Sequence, residues 1–580
     1  MASPIRYEVD LGDRVQHLVR VRLTVPADLS PGGRIVLPVW TPGSYVVRNY
    51  AHHVQWIAAA DEAGEPVELA SDSVTSWRLA DDVAGEVVVT YELYANELTV
   101  RTNHVDDHHA LLIPAATFAY VEGGEDRPHE VHLPAPEGER VHALLPAGAD
   151  EDTWIADHRD HLIDSAFEVG DHPSIDVEVR GVPHRFVWSG HGGDPELERR
   201  AEEIAKIAEV AIDLFEGDLP VEEYTFLCTG WDQGGGGLEH RDGSVLQIPV
   251  RAFQEPDLLA RFQSLLAHEY LHLWNVKRLV PAALVKPDYE HPTRSPSLWV
   301  AEGWTAYYDE LLPLRAGVWT VRRFLDTLRD TEQRINRDTP GARLQSLQQA
   351  SLEAWTKHYI RDENSPNLMT DYYGHGSLVA CELDLRLRAA EPDGDGLDTV
   401  FRLLWSRHAD DPRGFTEQDV LDAVATVGGQ QLAALVDERV ATPGPVDLEE
   451  VVEAVGLRWK DDDGPVPPSL GATTQESDAG VSIASVLRDG PAWTAGITGG
   501  DQLIAVDGRT VARGELPAVL LTHEPGETVE VTVTRGPRLL TLPVTLGPPR
   551  PGRRLVAVDE PSERQREVFR RWTGQSLDDA

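Results

Sequence analysis

The chain has two cysteines in 580 residues, Cys228 and Cys381. Their number and separation argue against a disulfide framework and exclude a structural zinc site built from cysteines. Positive charge is also short: 52 Lys and Arg stand against 97 Asp and Glu, a formal net charge of −45. Such a surface argues against a nucleic-acid or anionic-membrane partner. Lysine is rare beside arginine, a bias that a high-GC genome or adaptation to salt explains better than function does. No window approaches the roughly eighteen consecutive apolar residues of a transmembrane helix. The opening residues lack a basic segment followed by an apolar run, so no signal peptide is visible and a cytoplasmic protein is expected. Apolar residues as a class are not short, at 41% with 26% charged, which suits globular domains. The length exceeds what one core supports and predicts three or four domains.

What is present centres on His268-Glu269-Tyr270-Leu271-His272, an HExxH sequence that continues an apolar run from Leu258 to Ala267 free of Gly and Pro. The spacing predicts a buried helix starting at Pro256-Asp257, where Pro is tolerated and an acid favoured. Residues four apart share a helical face, so His268 and His272 can turn two imidazoles toward one metal ion. Glu269 then lies one step round the helix, near the metal without ligating it. Alone, a motif this short also occurs in helices with no metal. A catalytic zinc needs a third protein ligand and an open position. Glu302, 30 residues after His272, is the best candidate, because it lies in an aromatic-rich, mostly apolar stretch where a lone carboxylate is costly unless paired or metal-bound. The competing reading is a surface Glu near a helix start, since Asp309 and Glu310 follow.

Residues 5 to about 170 read as β-structure, with strands over Val19–Val25, Ile35–Trp40 and Gly85–Leu93. Turn formers punctuate them at intervals suited to a sandwich, and Trp40-Thr41-Pro42-Gly43-Ser44-Tyr45 reads as a loop. His104, His108 and His109 with Asp106 and Asp107 form a polar cluster, read as a solvated loop rather than a metal site. An amphipathic helix is expected from Pro195 to Phe215, then strands over Tyr224–Cys228 and Ser244–Pro249. Between these strands lies Gly234-Gly235-Gly236-Gly237-Leu238-Glu239-His240, read as a loop whose glycines allow close approach to a ligand. Helices are expected from Ser297 to about residue 455. A polar linker, Asp461–Pro465, leads to a β-rich module over residues 466–548 and a tail with one helix.

His268–Asn275 running into Val276-Lys277-Arg278, followed by Trp299-x-x-Glu302-Gly303-x-Thr305-x-Tyr307-Tyr308, resembles the glycyl aminopeptidase family of zinc metallopeptidases. Trp40–Tyr45 resembles that family's N-terminal signature, and Gly236–Arg241 its glycine-rich motif. Gly490-Pro491-Ala492, Ala495-Gly496-Ile497, Gly500-Asp501 and Val506-Asp507-Gly508 resemble a bacterial PDZ domain. The resemblance implies a multidomain α+β chain: a sandwich-like N-terminal β-domain (1–170), a thermolysin-like, mostly helical zinc peptidase domain (171–460), a PDZ domain (466–548) and a C-terminal tail (549–580).

It further implies one Zn2+ per chain on His268, His272 and Glu302, with Glu269 as general base. The glycine-rich motif is also similar to that of the alanyl aminopeptidases, whose Glu captures the substrate α-amino group. This implies the same role for Glu239, with Gly237 and His240 on that edge; a carboxylate beside the metal can pair with an ammonium and fix exopeptidase register. Tyr373, in Tyr-x-His-Gly, matches the tyrosine of the aminopeptidase Tyr-x-Lys-Gly pattern and is assigned to the oxyanion, with Tyr372 as the alternative donor. His375 stands where the family usually has Lys. Asn275, Lys277 and Arg278 are read as bracing the helix end. The expected substrate is a peptide with a free N-terminus and a small first residue, Gly or Ala. The PDZ module suggests a peptide ligand, with Ser469–Ala472 as the carboxylate loop, or a homo-oligomer contact. The alternatives are a zinc endopeptidase with PDZ-mediated substrate delivery and an inactive PDZ scaffold.

Overall fold

Alternation of apolar and polar residues sets the N-terminal strands. Leu18–Val25 buries Val19, Val21, Leu23 and Val25 and exposes the residues between them to varying degrees. It pairs antiparallel with Ile5–Asp10 and with Val87–Tyr94 inside a seven-stranded sheet. Two four-stranded sheets accompany it. One contains Arg34–Val36, shorter than the strand expected through Trp40, because Pro38 has no N–H for a ladder. Trp40–Tyr45 is a loop closed by a bridge between Thr41 and Ser44. The computed structural model describes residues 3–190, 192–232 and 234–580.

The chain forms two units. The first is Met1–Arg294 with Tyr308–Val318 and Leu404–Phe415. This unit holds both the N-terminal β-domain expected to end near residue 170 and the residues that follow it. Bonds from the N-terminal sheets to the segment after the HExxH helix tie the two parts together: Arg34 Nη1 donates to Glu290 Oε2 at 2.7 Å, and Val39 N to Tyr289 O at 2.8 Å. This unit also holds a five-stranded sheet, ordered Ser174–Val179, Val182–Gly190, Tyr224–Trp231, Gly243–Pro249 and Gly236–His240. Its middle pairs run parallel; the last strand lies antiparallel at the edge. The stretch expected to be a glycine-rich loop is thus in part this edge strand. Pairing with Gly243–Pro249 outweighs the low strand preference of its glycines. Helices Leu197–Leu214 and Pro256–Leu271 pack on the sheet.

The second unit is Ser295–Tyr307, Trp319–Leu403 and Thr416–Ala580. It is helical up to Glu449–Ala454 and carries the PDZ fold beyond. The PDZ sheet runs Ala472–Ser477, Gly480–Val486, Gln502–Val506, Thr528–Arg535 and Arg538–Thr545, over a core including Val481, Ile483, Val531 and Val544. Asn367 holds it to the helices, donating to Val486 O at 2.7 Å and accepting from Arg488 N at 2.8 Å.

Residues 549–580 are not a tail. Arg553–Ala557 pairs antiparallel with Leu457–Asp461, and Glu563–Thr573 is a helix with a complete capping box at Ser562. Trp572 is fully buried against Phe324, and its Nε1 donates to Tyr307 Oη at 2.7 Å. The stretch is rich in arginine, which hides the apolar stripe of Val568, Phe569 and Trp572. Trp572→Ala is expected to cost about 3–5 kcal/mol, the range for emptying a buried aromatic site, measurable as a lower denaturation midpoint.

Among the described residues, no helix is long and apolar enough to cross a membrane.

Candidate active site

The HExxH helix begins at Pro256, whose missing N–H is harmless in the first turn, and Asp257 follows beside the positive helix end. The regular helix ends at Leu271. His272 is its C-cap, still in helical geometry (φ −60, ψ −18), and its N–H reaches His268 O at 3.2 Å. The two imidazoles therefore stay on one face, with ring centroids 4.6 Å apart.

Each ring is held through Nδ1. His268 Nδ1 lies 2.8 Å from Asp309 Oδ2, and His272 Nδ1 lies 2.6 Å from Asn275 O. An oxygen at Nδ1 fixes the tautomer and presents Nε2 as a lone pair, the arrangement of metal-ligating histidines. Ser264 Oγ donates to the other Asp309 oxygen at 3.1 Å. Asp309 was missed in the sequence, where it counted only as a nearby acid; the requirement of a ligating His for an outer carboxylate was the available signal. Asn275 braces the site through its carbonyl. Arg278 does brace the chain, donating to Leu273 O and to Asp242.

Glu269 is buried on the same helix, and Tyr224 Oη donates to its backbone carbonyl at 3.2 Å. The edge strand faces it. A Cβ at Gly237 would overlap the Glu269 carboxylate, so only glycine allows this approach. Two residues on, Glu239 is 4% exposed. Glu239, Glu269 and His272 each present one ligand-type atom, all within 4.8 Å of one another. The sequence-predicted Gly237, Glu239, Glu269 and His272 are thus brought together. His240 is buried on the same strand, but its Nδ1 lies 3.6 Å from Asp164, pointing it to structural support.

Lys277 departs from its expected bracing role. Its Nζ donates to Asp164 Oδ1 at 2.8 Å and lies 3.6 Å from Glu239 Oε1. Burial disfavours its charge, but Asp164 and Glu239 outweigh that and raise its pKa, so it is a buried ammonium. Asp164 is likewise held down: burial pushes it up, and Lys277 and His240 pull it down further. Two carboxylates and one ammonium leave one negative charge. Glu239 Oε1 accepts no hydrogen bond from any described residue. That buried oxygen suits an incoming cation.

The Trp40–Tyr45 loop reaches the same place. Gly43 has φ +82, and a Cβ there would overlap the Glu239 carboxylate. Beside Glu239 opens a cavity of about 280 Å³, lined by Trp40, Tyr45, Lys277, Leu284, Val285 and Tyr289 among others.

In the second unit, Glu302 is 1% exposed, within a π-helical stretch Trp299–Trp304 that continues into the helix Thr305–Arg315. It is not a surface residue. Gly303 and Gly376 pack backbone to backbone, and this brings the start of helix Gly374–Ala390 against the π-helical stretch. Tyr372 is fully buried, whereas Tyr373 is partly exposed. Burial, and then the Glu302 charge, raise the Tyr373 pKa well above its usual value, so the phenol keeps its proton. His375 is buried in the same helix and bonded to Thr370 Oγ1 at 2.9 Å, so this departure from the usual Lys is a structural contact.

Three family models match in order: the Peptidase M61 N-terminal domain over residues 6–171, the M61 glycyl aminopeptidase over 261–379 and a PDZ domain over 468–546. The crystal structure of an aminopeptidase N family protein from Idiomarina loihiensis is similar over 98% of this chain and 100% of its own, at 29% identity and a TM-score of 0.92. An M1 zinc metallopeptidase from Deinococcus radiodurans is far more distant, at 14% identity and a TM-score of 0.44 over 77% of this chain and 96% of its own. A serine protease Do-like HtrA from Lactobacillus helveticus is 41% identical over 68 residues, which span 12% of this chain and only 16% of that protein.

Proposed function

We propose that this chain, a member of the glycyl aminopeptidase family of PDZ-containing zinc metallopeptidases, is a zinc-dependent aminopeptidase that removes small N-terminal residues, Gly or Ala, from peptides. The observation that carries the reading is the convergence of Glu239, Glu269 and His272 in one buried place, where Glu239 Oε1 accepts no hydrogen bond from any described residue.

The donor set fits a zinc ion. His268 and His272 offer Nε2 with Nδ1 already occupied, and Glu302 is the buried carboxylate proposed as third ligand. Glu302 stands seven residues before Asp309 on one continuous helical stretch, so the segment that supports His268 also carries it. Zinc, when bound, supplies Lewis-acid polarisation of the scissile carbonyl and a more acidic water. Glu269 accepts the proton from the attacking water and later delivers it to the leaving amine. Glu239 pairs with the substrate α-ammonium, fixing the scissile bond one residue from the N-terminus. Tyr373, protonated and partly exposed, donates a hydrogen bond to the developing oxyanion; Tyr372 is too buried for that role. The preference for a small first residue rests on the family resemblance. In the PDZ module, the exposed edge strand Ala472–Ser477 offers a template for strand addition by a peptide.

The test is cleavage of Gly- and Ala-initiated peptides with free and N-acetylated ends, after chelation and after zinc is restored. Activity should vanish with chelation, return with zinc, and be confined to free N-termini. Equal cleavage of the acetylated peptides would instead establish an endopeptidase.

A further inference from the structure

Away from that site, the first unit contains a second convergence of metal-type donors. His104 and His109, expected on a solvated loop, are buried on the paired strands His104–Val105 and His109–Leu112; Asp107 and His108 of that group are well exposed. The sequence could not show this, because their partners Glu168, His172 and Ser189 come from later segments. His109 Nδ1 lies 2.9 Å, His172 Nε2 2.8 Å and Ser189 Oγ 2.8 Å from one oxygen, Glu168 Oε1. His109 Nε2 is in turn 2.8 Å from His104 Nδ1.

Glu168 is 1% exposed. Its ion-pair partners among the described residues are both histidines. Three polar atoms crowd Oε1, while Oε2 is buried with no hydrogen-bond partner. A buried carboxylate needs a positive partner. Protonated imidazole is one solution, but the rings crowd one another: His104 and His109 centroids are 5.0 Å apart, and His142 and His172 are stacked at 6.4 Å. A bound cation balances the charge with every ring neutral. The cluster borders a cavity of about 300 Å³ with Asp107 and Asp171 in its wall, giving an ion an acidic entry path.

We propose that His109, Glu168 and His172 form a second metal site, which takes a divalent cation of the zinc or cobalt class through two imidazole nitrogens and one carboxylate oxygen, with solvent from the cavity completing the coordination. Two nitrogens and one oxygen are the donor types such ions prefer. The three ligand atoms lie within 4.8 Å of one another. Ligand atoms around a tetrahedral ion with bonds of about 2.0–2.1 Å stand about 3.3 Å apart, so small side-chain rotations open the cluster to receive it.

The experiment loads untagged full-length protein with Co2+, removes free ion and counts cobalt per chain. Wild type should hold two ions. His172→Gln, at the cavity edge, should hold one and keep its peptidase activity, which also reports an intact fold. His268→Ala/His272→Ala should hold one, and adding His172→Gln to that pair should remove it. A single ion in wild type that is lost with His268→Ala/His272→Ala, or a second ion that survives His172→Gln, overturns the proposal. A count unchanged by His268→Ala/His272→Ala would sink the peptidase reading instead and leave the second site standing.

Discussion

Glu269→Gln is expected to lower turnover of a glycyl or alanyl anilide by about 10²–10⁴-fold, the contribution of a positioned general base, while the protein keeps the zinc of the HExxH site. The amide has nearly the shape of the carboxylate, so the close approach of Gly237 survives. It cannot take the proton of the attacking water. Metal content and the denaturation midpoint separate this outcome from a folding defect. Zinc retained with turnover lost assigns Glu269 to proton transfer; zinc retained with turnover unchanged removes it from that role.

Glu239→Gln should weaken kcat/KM for peptides with a free N-terminus by about 10- to 150-fold, the worth of a charge-assisted hydrogen bond of about 1.5–3 kcal/mol. Glu239 and Asp164 together outnumber the Lys277 ammonium by one negative charge; the substitution removes that excess. The effect should fall mainly on KM, because the role proposed for Glu239 is to hold the substrate end and not the reacting atoms. Gln preserves the shape beside Gly43 and Lys277, which Ala would not. A stable, zinc-loaded variant with an unchanged KM would show that another group holds the amine.

Much of this site was legible because it is local. The i, i+4 spacing of His268 and His272 needs only a helix, and Leu258–Ala267 predicts that helix by its lack of breakers. The PDZ strands alternate in the sequence as they do in the sheet. What was read wrongly depended on pairing and packing that residue type does not reveal. Gly236–His240 looked like a loop because glycine disfavours strands, yet its ladder comes from Gly243–Pro249. Residues 549–580 looked like a tail because arginines mask the stripe that ends in Trp572.

The sequence by itself determined the pair of imidazoles, the adjacent Glu269, the candidate carboxylate Glu302 and the succession of β-rich, helical and β-rich segments, since each is written in spacing and residue type; the motif resemblance added Glu239. Only the tertiary structure decided which oxygen fixes each histidine, that Lys277 shares the charge of Glu239, and that His109, Glu168 and His172 meet. These depend on where strands and helices far apart in the chain come to rest, and burial there turns neighbouring charges into interactions strong enough to set protonation and ligand choice.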